Sequence, residues 1–232
     1  MDFQNRHVVV TGGTGALGLA VVEGLLRGGA EVHIPYLHAA EAERFPFRSD
    51  ARVHLTGPLD LASEAEVGRL YGGVPGLWSS IHLAGGFAMG GIAETDRAAL
   101  LHQFEMNFVS CYLCCRAAAI AMRAGAGGRI VNVAARPALE PRTGAGMSAY
   151  TASKAAVSAL TQALGEELAK NGILVNAVAP SILDTPANRA AMPKAKHEQW
   201  PKVNEVAATI LFLASPENRV TRSAVVPVYG RS

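Results

Sequence analysis

A chain of 232 residues, half of them apolar, is of single-domain length and carries enough apolar side chain for one large core. Its formal net charge of +2, with acids and bases interspersed, excludes a basic nucleic-acid stripe or an acidic tail. No apolar run reaches the about 18 residues of a membrane span, and Met1–His7 runs straight into a strand with no room for a signal peptide. A cytoplasmic protein with neither a membrane nor a nucleic-acid partner is expected.

From the N-terminus, His7–Val10 reads as a strand, and Leu17–Leu26 has helical apolar spacing after a glycine-rich turn. Val32–Ile34 and Val53–Leu55 are the second and third strands, and Ala62–Leu70 is the helix that follows. Ser80–Ala84 reads as the fourth strand, Ala98–Met122 as one long helix, and Arg129–Ala134 as the fifth strand. Cys111, Cys114 and Cys115 fall in that long helix with no His pair beside them, so they read as packed, reduced thiols and no metal site is expected. Ser148–Asn171 is the next helix; strand Ile173–Val178, helix Val203–Ala214 and a last strand, Ala224–Val228, complete the series. Short apolar strands alternating with helices call for a parallel sheet covered on both faces. The expected architecture is α/β: a single doubly wound Rossmann-fold domain over residues 1–232, with a parallel sheet of about seven strands.

The first strand leads into Thr11-Gly12-Gly13-Thr14-Gly15-Ala16-Leu17-Gly18. Glycines permit a tight turn and let backbone N–H groups approach a pyrophosphate, and the helix N-terminus that follows favours its charge. Any tight turn needs glycine, so it is the place of this one, after the first strand of an alternating chain, that points to a dinucleotide. At the end of the second strand, where an acid would take a ribose 2′-hydroxyl, stands Tyr36, with His38 the nearest basic side chain. The missing acid leans slightly towards NADP over NAD.

Tyr150 and Lys154 lie four residues apart in a helical stretch, which puts both on one helix face. A phenol titrates near about 10, and a neighbouring ammonium favours its ionised form. A tyrosine so tuned can pass a proton to or from a carbonyl oxygen. One such spacing also arises by chance, so its weight comes from what surrounds it.

Together these motifs resemble the short-chain dehydrogenases/reductases, over nearly the whole chain. The resemblance implies an NAD(P)-dependent oxidoreductase with a small-molecule substrate. It also implies a homo-oligomer, dimer or tetramer, formed through the helices that contain Asn107 and Tyr150. Cofactor contacts are implied from Gly12, Thr14, Gly15, Ala16, Leu17 and Gly18 in the phosphate loop and from Tyr36. Others are implied from Asp60 and Leu61 after the third strand, Ala84, Gly85 and Gly86 after the fourth, and Pro180, Ser181, Ile182 and Thr185 after the sixth. Tyr150 and Lys154 match the catalytic pair, and Asn107 matches an asparagine that perturbs its helix and links a water to the lysine. Three positions depart from the pattern: Ala16 replaces the middle glycine, Leu83 replaces the Asn before Ala84-Gly85, and Ser181 replaces a Gly. Taken singly, Asp60 also suits a helix start, Asn107 an exposed helix position and Thr185-Pro186 a turn. Phe104, Phe108, Cys111 and Cys115 on one helix, and Val157, Leu160 and Leu164 on the other, suit an oligomer interface and equally suit packing on the sheet.

The family places a serine after the fifth strand as a second donor to the substrate oxygen. This chain has Ala134-Ala135 there. Losing one such donor costs about 2.7–4 kcal/mol of transition-state stabilisation. Three explanations stay open. Thr143, Ser148 or Ser181 replaces the hydroxyl; the substrate is a C=N bond in a dihydropteridine-like heterocycle that needs no second donor; or the cofactor site persists with little turnover. Ala135, Arg136, Phe87 and Met192 are the candidate substrate contacts, and Asp184–Trp200 reads as a mobile lid. Tyr150 is the expected acid/base for hydride transfer to or from a small carbonyl or alcohol, with its pKa lowered by Lys154.

Overall fold

The computed structural model describes residues 1–123, 125 and 127–232. Seven strands form one sheet in the order β3-β2-β1-β4-β5-β6-β7, every neighbouring pair parallel. They are β1 (His7–Thr11), β2 (Glu31–Pro35), β3 (Val53–Thr56), β4 (Leu77–His82), β5 (Gly128–Val133), β6 (Ile173–Pro180) and β7 (Val225–Val228). β4 begins and ends earlier than the Ser80–Ala84 of the sequence reading, which leaves Leu83–Gly86 free to form the loop at its end.

Residue alternation divides the strands' side chains between two cores. Val8, Val10, Ile34, Ile81, Val131 and Val178 point to one face and pack against α1 (Ala16–Arg27) and α9 (Val203–Ala214). Val9, Ile130, Ile173 and Val175 point to the other, against α3 (Glu64–Gly72), α5 (Ser110–Arg123) and α7 (Ser148–Glu167). The period of two within each strand thus produces a sheet buried on both sides. At the N-terminal end of β4, the guanidinium groups of Arg6 and Arg129 lie 4.0 and 4.9 Å from the ring centre of Trp78. Its indole N–H donates to Ala214 O.

Three short helices went unread in the sequence: α2 (Ala39–Arg44), α6 (Arg136–Leu139) and α8 (Pro186–Ala191). The long helix read over Ala98–Met122 is interrupted. α4 (Arg97–Phe104) gives way to one π-helical turn, Glu105–Val109, before α5 resumes. Of the two readings offered for the apolar faces, Phe108, Cys111 and Cys115 with Val157, Leu160 and Leu164 pack in the core on one side of the sheet. Phe104, Phe108 and Tyr112 follow one another ring to ring at 6.4 and 6.2 Å.

Strand order reverses between β1 and β4, whose neighbours run off in opposite directions. In a parallel sheet this opens a crevice at the C-terminal ends of the two strands. The glycine turn after β1 and the Leu83–Gly86 loop after β4 both lie there. Among the described residues no helix is long and apolar enough to cross a membrane.

Candidate active site

The glycine turn touches the loop after β4. Gly12 has φ +66°, and a Cβ on it would stand 2.7 Å from Ala84 N, so only glycine lets the two loops meet. A Cβ on Gly18 would collide with Gly12 O, whereas one on Gly15 would meet only ordinary contact at 3.4 Å. Gly12 and Gly18 therefore shape the turn, and Gly15 and Ala16 form its exposed crest. Gly15 caps α1 with no side chain, which leaves the first N–H groups of a twelve-residue helix pointing into the crevice. Such an end suits a pyrophosphate, and the methyl group of Ala16 lies exposed rather than inside the turn.

An acid reaches this turn from a place the sequence reading did not consider. Glu41 of α2 accepts from Thr14 Oγ1 at 2.8 Å and from His38 N at 3.2 Å. Tyr36, at the expected ribose position, instead donates its hydroxyl to Gly57 O at 2.8 Å. Asp60 is exposed; its carboxylate accepts from Ala62 N, and its own N–H donates to Glu66. Leu61 beside it is half-buried.

Asn107 lies in the π turn, 1 % exposed, and its amide grips the loop after β4 from both sides. Gly86 N donates to its Oδ1 and its Nδ2 donates to Gly86 O, each at 3.0 Å. Nδ2 also lies 3.3 Å from Ser153 Oγ, whose hydroxyl donates to Tyr150 O. Lys154, 7 % exposed, donates Nζ to Val133 O at 2.9 Å. A Cβ on Gly85 would sit 2.6 Å from Asn107 Oδ1 and 3.4 Å from Lys154 Nζ. Gly85 is thus the gap through which both side chains approach the loop. Phe87 stands edge-on to Tyr150 at 5.0 Å.

The electrostatics differ from the sequence reading. Burial pushes Tyr150 up to about 12, with no compensating contribution from Lys154. Burial also draws Lys154 down to about 8, with Cys111 acting in the opposite sense. The ammonium is directed at a backbone carbonyl, and burial alone sets the shift of the phenol.

On the substrate side, Ala135 is 4 % exposed at the start of α6. Arg136 is engaged: Nε donates to Glu140 at 2.9 Å, and its guanidinium lies 4.9 Å from the Tyr229 ring centre. Of the three hydroxyls offered as substitutes, Thr143 donates to Glu140 O and Ser181 to Tyr229 O, while Ser148 is exposed at the start of α7. Pro180 ends β6 in the core, and Ile182 beyond it is 43 % exposed. Thr185 caps α8, accepting from Asn188 N, and Met192 is half-buried at its end. The segment read as a mobile lid carries fixed points: Asn188 donates to Leu183 O, Asp184 pairs with Arg189, and Trp200 is buried.

A glycine-lined crevice at a switch point, with a tyrosine and a lysine one helical turn apart beside it, has the form of a dinucleotide-dependent oxidoreductase site. The sequence pattern of the short chain dehydrogenases matches residues 6–196, and the chain belongs to this family. It is similar to a short-chain type dehydrogenase/reductase of Picea abies, 30% identical with 97% of this chain and 91% of the relative covered. It is equally similar to the 2,3-dihydro-2,3-dihydroxybenzoate dehydrogenase of Escherichia coli K12, 30% identical with 93% and 92% covered. Among solved structures, a short-chain type dehydrogenase/reductase from Mycobacterium ulcerans superposes with a TM-score of 0.90 at 25% identity, over 99% of this chain and 90% of that one. The protein is an oxidoreductase of the nicotinamide-dependent kind.

Proposed function

We propose that the protein transfers hydride between a nicotinamide dinucleotide and a small carbonyl or alcohol, with Tyr150 moving the proton. The observation that carries this reading is the joined set Asn107–Gly86, Lys154–Val133 and Tyr150–Phe87 at the mouth of the crevice. The residues present suit the cofactor: the uncapped end of α1 would hold its pyrophosphate, and Lys154 and Thr185 would hold its nicotinamide half. When bound, it supplies or accepts the hydride. Tyr150, kept protonated across the neutral range by burial, gives its proton to the substrate heteroatom. Lys154, an ammonium below about pH 8, favours the phenolate that this leaves.

Glu41 turns the cofactor reading towards NAD(H). A carboxylate already hydrogen-bonded to Thr14 of the phosphate turn accepts from a ribose 2′-hydroxyl and repels a 2′-phosphate. The slight lean to NADP rested on the missing acid at Tyr36, and α2 supplies an acid from elsewhere in the chain. Leu100, Leu101 and Tyr112, exposed along α4 and α5, support self-association through that face.

Tyr150→Phe tests the central assignment. Turnover should fall by at least about 100-fold while calorimetry still records NADH binding, tighter than NADPH. Unchanged turnover would remove Tyr150 from the chemistry.

The hydroxyls of Thr143 and Ser181 are both given to backbone carbonyls, which favours a second reading: a C=N substrate in a heterocycle that needs one donor only. Ala135→Ser separates the two. A gain of about 100-fold on simple ketones would mean that the second donor limits carbonyl reduction. No gain would point to the C=N substrate.

A further inference from the structure

Two of the three cysteines meet a histidine and an asparagine that the fold brings from elsewhere in the sequence. His82 ends β4, Asn132 lies on β5, and Cys111 and Cys115 project one turn apart from α5 into the space between them. All four residues are buried, none more than 6 % exposed. His82 Nδ1 lies 2.8 Å from Asn132 Oδ1; Cys111 Sγ and Cys115 Sγ each lie 3.4 Å from the same oxygen; and Cys115 Sγ lies 3.5 Å from His82 Nδ1. Two thiols and a ring nitrogen thus converge on one amide oxygen, which has two lone pairs to offer.

A tetrahedral zinc ion, with bonds of about 2.0 Å to nitrogen or oxygen and about 2.3 Å to sulfur, sets its ligand atoms about 3.3–3.8 Å apart. Of the six separations among the four ligand atoms, the three at 3.4–3.5 Å fall in that range and the 2.8 Å one needs to open by about 0.5 Å, while Cys111 Sγ lies within 4.8 Å of Cys115 Sγ and of the His82 ring nitrogen. The surroundings are those of a metal ligand's supporting shell. His82 Nε2 faces Ser80 Oγ at 2.7 Å and Tyr71 OH at 3.2 Å, so its proton can reside there while Nδ1 turns its lone pair inward. Asn132 Nδ2 donates to Thr161 Oγ1 at 2.9 Å, and Thr161 in turn donates to Val157 O, which fixes the amide with its oxygen towards the sulfurs. Two thiolates and one divalent cation sum to zero charge, as a site without access to water requires.

We propose that Cys111, Cys115, His82 Nδ1 and Asn132 Oδ1 bind one zinc-like divalent cation, pinning β4, β5 and α5 together behind the active site. The two thiol protons would leave when the ion enters, and His82 would keep its one ring proton at Nε2. The helix that would carry the sulfurs continues directly from the π turn that holds Asn107.

The test is elemental analysis of protein purified without a histidine tag, followed by Co²⁺ titration of chelator-treated protein. The expected result is about one equivalent of zinc per chain, and cobalt spectra with thiolate charge-transfer and tetrahedral d–d bands. Cys111, Cys114 and Cys115 are the chain's three cysteines, so a thiolate band must arise in this cluster. Cys114→Ala should keep both signals, and Cys111→Ala/Cys115→Ala should lose both. Folded wild-type protein with no metal and no cobalt–thiolate band would overturn the proposal. So would metal retained by the double variant, since it would then sit on His7, His33 and His54. If the double variant does not fold, the cobalt spectrum of the wild type decides alone.

Discussion

Lys154 shows what burying an ammonium costs the fold. Its ammonium is buried with a single carbonyl partner, and burial lowers its pKa from the ordinary 10.5 to about 8. A depression of that size amounts to about 3 kcal/mol against the folded state at neutral pH. The sign follows from proton binding: below about 8 both states hold the proton and the full penalty applies, and it disappears as the pH rises towards 10.5. Lys154→Met should abolish turnover and raise Tm by about 4–8 °C at pH 7, after allowance for the lost hydrogen bond. Scanning calorimetry should show that advantage shrinking between pH 8 and 10.5. The pair Tyr150 and Lys154 was legible from spacing alone. Their electrostatics were not, because desolvation is set by chain segments distant in sequence. Glu41 escaped for a similar reason: it acts across 27 residues, from a helix too short to show periodicity.

At the scale of elements, strands and long helices were legible because each buries a whole face and so leaves a period in the sequence. Helices of six, four and six residues leave none, and the π turn hides because one extra residue shifts a helical pattern without breaking it. That turn nevertheless sets the site. It carries Asn107, whose amide holds both backbone groups of Gly86, and Gly85 is the residue whose missing side chain lets it in. Gly85→Ala should push Asn107 off the loop and lower kcat about tenfold or more, with a stability loss of about 1–3 kcal/mol by urea titration. An unchanged kcat would show that the Asn107–Gly86 contact is dispensable.

For the whole molecule, the sheet brings together groups that no local reading associates. His7, His33 and His54 line up across β1, β2 and β3: His7 Nδ1 lies 3.0 Å from His33 Nε2, and the His33 and His54 rings stack at 4.6 Å. His33 is lowered from 6.5 to about 4, first by burial and then by the charges of its two neighbours. Its protonation therefore favours the unfolded chain. Stability is intact above about pH 6.5 and falls as the pH drops towards 4, by at most about 3 kcal/mol from this residue. Urea midpoints at pH 7 and pH 4.5 should differ accordingly, and His33→Leu should narrow the difference. The same architecture gives the protein two built-in optical reporters. Its two tryptophans stand apart: Trp78 at the N-terminal end of β4, close to two guanidinium groups, and Trp200 at the close of the Asp184–Trp200 segment. A ligand that settles the Thr185 segment alters the emission of Trp200 alone. Loss of the sheet frees Trp78 from its cations, so one fluorescence spectrum separates occupancy of the cleft from melting of the fold.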